Sequence, residues 1–414
     1  MKRKLNNLNE IIINIYGAFD RFNYGDLLFP LIIKNSLDER IDNIQFEYYG
    51  LINSDFTEFG GVKTNAINEL FKKKSNAKKE VIIVAGGEII YSNWFFTLQS
   101  LIKNKYIRKA NDKLLAIFGK EFIDKVCNLI LEKKLVYPFL LDKSKLPGSP
   151  CLIYNTVGGS CTSAKLTSLR IKYLKQSSYL SVRDMGTLKN LKNSNDDIIP
   201  LLYPDSATLM SKYYPKEVLD KIISNETKEI ITSNKQGYIC FQISSYWYSK
   251  ASDIVLNQLT LLSNNTGLPV VLLPIGRAPY HSDQYALKAI KSKASFKAIM
   301  PSDNSIFDIM ALIANSKLFI GTSLHGTITA MSFAIPFVPL TPDIEKVNSY
   351  VNTWYKLDFK LPVHFGDIYL TSMKIINMDR KILINCRNKV IKHTEENFDK
   401  IATVIEYYKK EDQN

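Results

Sequence analysis

Short, continuous apolar runs separated by longer amphipathic stretches recur along almost the whole chain. In the first half the runs are Ile11–Tyr16, Ile44–Tyr49, Val81–Ala85, Cys151–Val157, Tyr179–Val182 and Leu201–Tyr203. In the second half they are Tyr238–Ile243, Val270–Pro274, Leu318–Ile320 and Phe337–Leu340. Most do not alternate between apolar and polar positions, which predicts strands buried on both faces, the mark of a parallel sheet covered by helices. Helical spacing is expected over Asp26–Ser36 and Asp124–Leu135. Between the two series, Ser211–Gln236 is polar and charged with no strong strand, and reads as a boundary with a linking helix. The expected class is therefore α/β, with two Rossmann-like domains facing a cleft. The expected limits are residues 1–212, a linker at 213–236, and a second domain at 237–377. A tail at 378–414, helical in period over Met378–Tyr408, could cross back onto the first domain.

Length supports this division, since 414 residues exceed what one hydrophobic core usually organises. With 46% hydrophobic and 23% charged residues the chain is globular in composition. The opening MKRKLNNLNEIIINIYGAF superficially mimics a signal peptide, but Glu10 and Asn14 interrupt it and no small-residue cleavage site follows. It is read as a first strand. The five cysteines, Cys127, Cys151, Cys161, Cys240 and Cys386, are widely spaced without a CxxC pair, which fits a reducing cytoplasm. No metal-ligand cluster appears, and no metal is expected. The formal net charge of +14 is partly clustered at Lys72, Lys73, Lys74, Lys78 and Lys79 and again at Lys103, Lys105, Arg108, Lys109 and Lys113. Such clusters are solvated helix faces, or they draw anionic partners such as phosphorylated substrates or the inner membrane leaflet. No nucleic-acid module is present, so no nucleic-acid partner is expected.

Candidate chemistry gathers where the strands end, because ligands of open α/β sheets bind beyond the carboxyl ends of their strands. The most informative stretch is LFIGTSLHGTITAMSFAIPFVPL, Leu318–Leu340, a strand, a tight turn, a helix and another strand. It places His325, one of four histidines, among Ser323, Gly326 and Thr327 at the sheet edge. There it can donate to a phosphate, shuttle a proton, or simply hold the turn. After the first strand, GAFDRFNYGD carries Asn23, Gly25 and Asp26 at a helix start suited to anions. It lacks the GxGxxG spacing of a dinucleotide site. VIIVAGGEII brings Gly86 and Gly87, against which a substrate could lie, and Glu88, an acid, a base or an exposed loop glutamate. YLSVRDMGTLKNL places Arg183 and Asp184 at a strand end, where arginine suits a carboxylate or phosphate and Asp184 suits a helix cap. YPDSA adds Asp205 on the same rim, and LLPIGRAPYHSD adds Arg277, His281 and Asp283 in the second half.

Taken in order, these blocks resemble the polysaccharide pyruvyl transferase family. The shared series is an NxGD loop (Asn23, Gly25, Asp26), a GG loop, a Ser-x-Arg-Asp segment (Ser181–Asp184), a Pro-Asp pair (Pro204, Asp205) and an S-x-LH-like turn, spanning Ile11–Leu340. Two positions depart from the pattern. The common Ser-Arg-Leu-His reads Ser323, Leu324, His325 without the arginine, and the frequent third glycine is Glu88.

The resemblance implies a GT-B-like architecture and transfer of the pyruvyl unit of phosphoenolpyruvate to sugar hydroxyls, commonly as a ketal, in surface glycan synthesis. Phosphoenolpyruvate would be donor substrate, with no cofactor, and the sugar or glycan acceptor would be free or lipid-linked. Arg183 and His325 are the expected donor ligands, with Arg277 and the helix start near Gly326 as further anion contacts. Asp26 and Asp205 are expected near the acceptor with exchangeable roles. Competing expectations are a glycosyltransferase of the same fold using a nucleotide-sugar donor, and a non-catalytic scaffold. The expected setting is the cytoplasm, including its membrane face.

Overall fold

The computed structural model describes residues 11–73, 79–102, 134–160, 166–194, 197–277, 282–302, 304–355 and 360–410, together with scattered positions between 106 and 126. Two sheets organise the chain. The first contains β1 (Ile11–Tyr16), β2 (Ile44–Gly50), β3 (Ser54–Asp55), β4 (Lys63–Ala66), β5 (Lys79–Ala85), β6 (Cys151–Val157), β7 (Tyr179–Val182) and β8 (Leu201–Leu202). Their order is β3-β4-β2-β1-β5-β6-β7-β8, parallel except for β3 against β4. The second contains β9 (Ile239–Gln242), β10 (Val270–Leu272), β11 (Ala298–Ile299), β12 (Leu318–Gly321) and β13 (Phe337–Pro339), in the order β11-β10-β9-β12-β13 and parallel throughout. The GT-B-type α/β class expected from the chain is the class observed. Strands β3, β4 and β11 were not foreseen, because SD, KTNA and AI are too short or too polar to make an apolar run.

Continuous apolar strands become central strands for a simple reason. β1 sits between β2 and β5, with Ile11 opposite both Ile44 and Lys79, and all six of its residues are buried. Helices must then cover both faces. Those used below are α1 (Tyr24–Asp38), α2 (Met185–Ser194), α3 (Ser245–Thr266), α4 (Leu324–Ser332), α5 (Glu345–Trp354) and α6 (Arg380–Lys410). The Ser211–Gln236 stretch holds the end of one short helix and two more, Lys216–Ile222 and Asn225–Ser233. The helix expected over Asp124–Leu135 falls almost entirely outside the described residues. No described helix is long and apolar enough to cross a membrane.

The halves are tied together near their strand ends. α1 packs on α4, and Tyr24 Oη lies 2.8 Å from Thr329 Oγ1. Asn23 forms an isolated antiparallel bridge with Gly276. Ser349 Oγ on α5 donates to Asp184 Oδ1 at 2.6 Å. α6 returns from the second half to the first. Asn397 donates to Asn155 Oδ1 and accepts from Tyr179 Oη, each at 2.8 Å. Burying α1 side chains such as Phe29 and Ile33 at this junction contributes roughly 1.5–3 kcal/mol each.

Both sheets reverse their winding at one place. In the first it lies between β1 and β5, in the second between β9 and β12. Loops leaving such neighbouring strands in opposite directions open a crevice, the standard ligand position of the doubly wound fold. Here the two crevices are joined into one cleft.

Candidate active site

The cleft has a volume of about 690 Å³, and its wall is built from the loops after β1, β5, β7, β9, β10, β12 and β13. From the sequence-derived set, Asn23, Asp26, Gly87, Glu88, Arg183, Ser323 and His325 line it. Asp205 lies directly behind, fully buried, with its Oδ2 3.5 Å from His325 Nε2 and 3.2 Å from Arg183 Nη1.

Close packing explains the glycines. A Cβ on Gly25 would run into the His325 imidazole, so only glycine lets α1 approach α4 here. A Cβ on Gly158 would stand 2.6 Å from Glu88 Oε1 and 2.8 Å from Arg183 Nε. Gly86 has φ 153°, a conformation that favours glycine and turns the chain out of β5.

Arg183 is 1% exposed. Its Nη2 pairs with Glu88 Oε1 at 2.7 Å, its Nη1 with Asp205, and its Nε approaches Asp184 Oδ2 at 3.9 Å. Burial works against its charge, but the three carboxylates outweigh burial and raise its pKa. This guanidinium was expected to hold a carboxylate or phosphate of the donor. Three carboxylates already surround it, so it organises the wall rather than offering an open fork. Glu88 is held from the other side by the Ser160 amide at 3.1 Å.

His325 stands on the first turn of α4, whose cap is Ser323 Oγ accepting from Gly326 N at 3.2 Å. Edge-on contact with Phe29, with ring centroids 5.5 Å apart, fixes one side of the imidazole, and Asp205 stands on another. At 3.5 Å the Asp205 contact is long for a hydrogen bond, and His325 Nε2, though buried, has no hydrogen-bond partner. A buried ring nitrogen left open in this way calls for a functional explanation. Burial would raise the Asp205 carboxyl, yet His325, Arg183 and the Ala207 amide hold its pKa low. Asp26 goes the other way. Burial raises its pKa against the opposing influence of His325, Arg21 and the Asn23 amide, whose Nδ2 donates to Asp26 Oδ2 at 2.7 Å.

Other expected residues are not on the cleft wall. Gly326 and Thr327 are buried in α4, where Thr327 Oγ1 donates to Ser323 O at 3.0 Å. Asp184 is buried at the start of α2, accepting from Thr187 N at 2.9 Å and from Ser349, so it serves as cap and tie between the halves. Arg277 donates to Asn304 O at 2.8 Å and lies over the Phe22 ring, 4.4 Å from its centroid. His281 lies outside the described residues.

Asp283, named from the sequence, also lines the cleft, but Lys346, Gln242, Arg21, Tyr246 and Trp247 on the same lining escaped the sequence reading. Lys346, on the first turn of α5, lines the cleft and has neither an ion pair nor a hydrogen bond among the described residues. Burial lowers its pKa, Glu88 and Asp26 oppose that, and Arg183 adds to it. The signal available was its place just beyond β13. Gln242, at the end of β9, accepts from Thr322 N at 3.0 Å and Ser323 N at 2.8 Å and so sets the His325 turn. Asp283 accepts from Ile275 N at 3.0 Å and Gly276 N at 2.8 Å, and burial pushes its pKa up to about 7. Arg21, also on the wall, is paired with Asp20 at 2.7 Å. Tyr246 and Trp247 line the opposite edge.

Two largely parallel sheets of matching connectivity, with a cleft between their winding reversals, define a GT-B fold. Solved structures of that architecture superpose over nearly the whole chain. UDP-GlcNAc 2-epimerase from Methanocaldococcus jannaschii, in complex with UDP-GlcNAc and UDP, has a TM-score of 0.55 at 12% identity over 96% of this chain and 99% of its own. The S. aureus MnaA–UDP structure has a TM-score of 0.55 at 10% identity over 96% of each chain. Trehalose-6-phosphate synthase OtsA has 0.54 at 9% identity, over 97% of this chain and 99% of its own. At these identities the likeness concerns the fold. No curated protein matches the chain significantly. The residue pattern of the polysaccharide pyruvyl transferase family matches residues 23–344, and the chain belongs to that family.

Proposed function

We propose that the cleft transfers the pyruvyl unit of phosphoenolpyruvate to sugar hydroxyls of a free or lipid-linked glycan in the cytoplasm. The observation that carries this reading is a lysine on the cleft wall that makes no ion pair or hydrogen bond among the described residues. Lys346 faces the cleft, and Asp26 and the Asp205-backed His325 line the same cleft. A donor carrying both a carboxylate and a phosphate needs such a charge, and a lysine ammonium holds either as a point charge. The start of α4 adds the favourable end of a helix dipole.

The chemistry balances with these groups. An acceptor hydroxyl oxygen bonds to C2 of the enol while a proton adds to the terminal methylene and makes it a methyl. The C2–O bond to phosphate then breaks, and a second hydroxyl closes the ketal. Of the two hydroxyl protons, one replaces that delivered to the methyl and the other leaves with phosphate. Asp26, its pKa raised by burial, is suited to deliver the first proton. His325, oriented by an ionised Asp205, is suited to receive one. Arg183 positions Glu88 and Asp205.

The test is to incubate purified protein with phosphoenolpyruvate and a panel of glycans, beside UDP-sugars, following phosphate release and the mass of the products. Phosphate release that requires both phosphoenolpyruvate and glycan supports the proposal. Turnover of UDP-sugars alone would replace it with glycosyl transfer.

A further inference from the structure

The long helix α3 begins with an aromatic ridge set apart from the rest of the helix. Ala251, at φ −147° and ψ 29°, breaks the helical geometry, so Ser245–Lys250 forms a separate first segment. Tyr246 is 59% exposed although it is a large aromatic residue. Trp247 stands beside it, with ring centroids 5.1 Å apart and rings near perpendicular. Lys250 ties the ridge together. Its Nζ donates to Tyr246 Oη at 2.6 Å and lies 4.2 Å from the Tyr246 ring centroid and 5.0 Å from that of Trp247.

Trp247 borders two cavities. One side belongs to the cleft described above. The other belongs to a second cavity of about 540 Å³, where Phe365 faces it at 6.4 Å between centroids. Polar groups of both signs, Lys250, Asp343 and His364, complete that lining beside Thr341. Gly366 leaves the floor open, since a Cβ there would meet nothing within 4 Å. Aromatic faces interleaved with scattered donors and acceptors suit a ligand with apolar C–H faces and a fringe of hydroxyls, which is a sugar chain. Each cavity alone has the volume of a whole small-molecule site (~300–1,000 Å³). A donor and one reacting sugar therefore leave the second cavity unused.

From this placement we infer that the cavity between Trp247 and Phe365 is a subsite for further sugar units of the acceptor, with Trp247 as the platform over which the glycan passes from the reacting unit outward. The inference rests on the pyruvyl-transfer reading for the direction of the chain, but the subsite itself is tested by binding without catalysis. The acceptor is then an oligomeric or polymeric glycan rather than a monosaccharide.

The experiment titrates full-length protein with glucose and cellohexaose, galactose and β-1,4-galactohexaose, and N-acetylglucosamine and chitohexaose, following tryptophan fluorescence and calorimetry. Phosphoenolpyruvate binding is measured in parallel. At least one hexasaccharide is expected to bind about tenfold more tightly than its monosaccharide. Phe365→Ala and Trp247→Ala should each remove most of that gain, with Trp247→Phe retaining more of it. Phe365→Ala should bind phosphoenolpyruvate as the parent does. Absence of any length dependence across all three pairs would overturn the subsite, as would a length dependence that both alanine variants keep. Loss of phosphoenolpyruvate binding in the parent protein would instead strike the pyruvyl-transfer reading, whatever the glycan result.

Discussion

The two walls of the cleft hold cations in opposite ways. On the first half, Arg183 is buried against Glu88, Asp205 and Asp184, so its charge is neutralised within the wall. On the second half, Lys346 has no counter-ion among the described residues and looks into the cleft. Burial favours the charged form of neither, but only Arg183 has carboxylates enough to overcome it. One wall is thus a rigid frame, and the other presents the charge a substrate anion would meet. A conspicuous arginine at a strand end is not, for that reason alone, the anion ligand.

Substitutions should separate the frame from the ligand-binding wall. The largest effect is expected at Arg183. Arg183→Ala leaves Asp205 and Asp184 buried without their cation, and should destabilise the fold by about 3–5 kcal/mol in a denaturant titration. A variant that kept its stability and lost only donor affinity would dissolve the contrast between the walls. His325→Ala should lower kcat by roughly 10²–10⁴ in the phosphate-release assay while the fold stays intact, since in the proposed reaction its ring takes up a proton. Lys346→Ala should weaken phosphoenolpyruvate binding by about 10–100-fold, as expected for one charge-assisted contact, with little change in thermal stability.

A smaller effect concerns pH. Asp283 has its pKa raised by burial to about 7, well above its ordinary value of 3.8. Between those values the folded protein binds more protons than the unfolded chain, so stability falls as pH rises from about 4 to about 7 and is level above that. Asp283→Asn should therefore flatten the dependence of the melting temperature on pH across that window. An unchanged profile would show that Asp283 is ionised in the folded protein at low pH.

The fold was largely legible in the chain because central parallel strands must be apolar on both faces, and such runs are visible one residue at a time. Short strands near the sheet margin such as Lys63–Ala66 carry no such requirement and were missed. The site was legible only as far as strand ends reveal it. Asn23, Asp26, Gly87, Glu88, Arg183, Ser323 and His325 were found by that rule, and all line the cleft. Lys346 was hidden among 54 lysines and arginines, because what distinguishes it is the lack of an ion pair among the described residues, and pairing is a property of three dimensions. The surroundings of Arg183 were hidden for the same reason, since its three carboxylates come from the strand ends of β5, β7 and β8. Tyr246 and Trp247 carry no signal of their own in the chain, and the break at Ala251 sets their segment apart.

The central claim, that this cleft takes phosphoenolpyruvate and that Lys346 receives its anionic end, is tested most directly by calorimetric titration of the parent protein and Lys346→Ala with phosphoenolpyruvate, beside a UDP-sugar. The account predicts saturable phosphoenolpyruvate binding by the parent, weakened about tenfold or more in the variant, and no binding of the UDP-sugar. Binding of the UDP-sugar without phosphoenolpyruvate, or equal phosphoenolpyruvate affinity in both proteins, would contradict it.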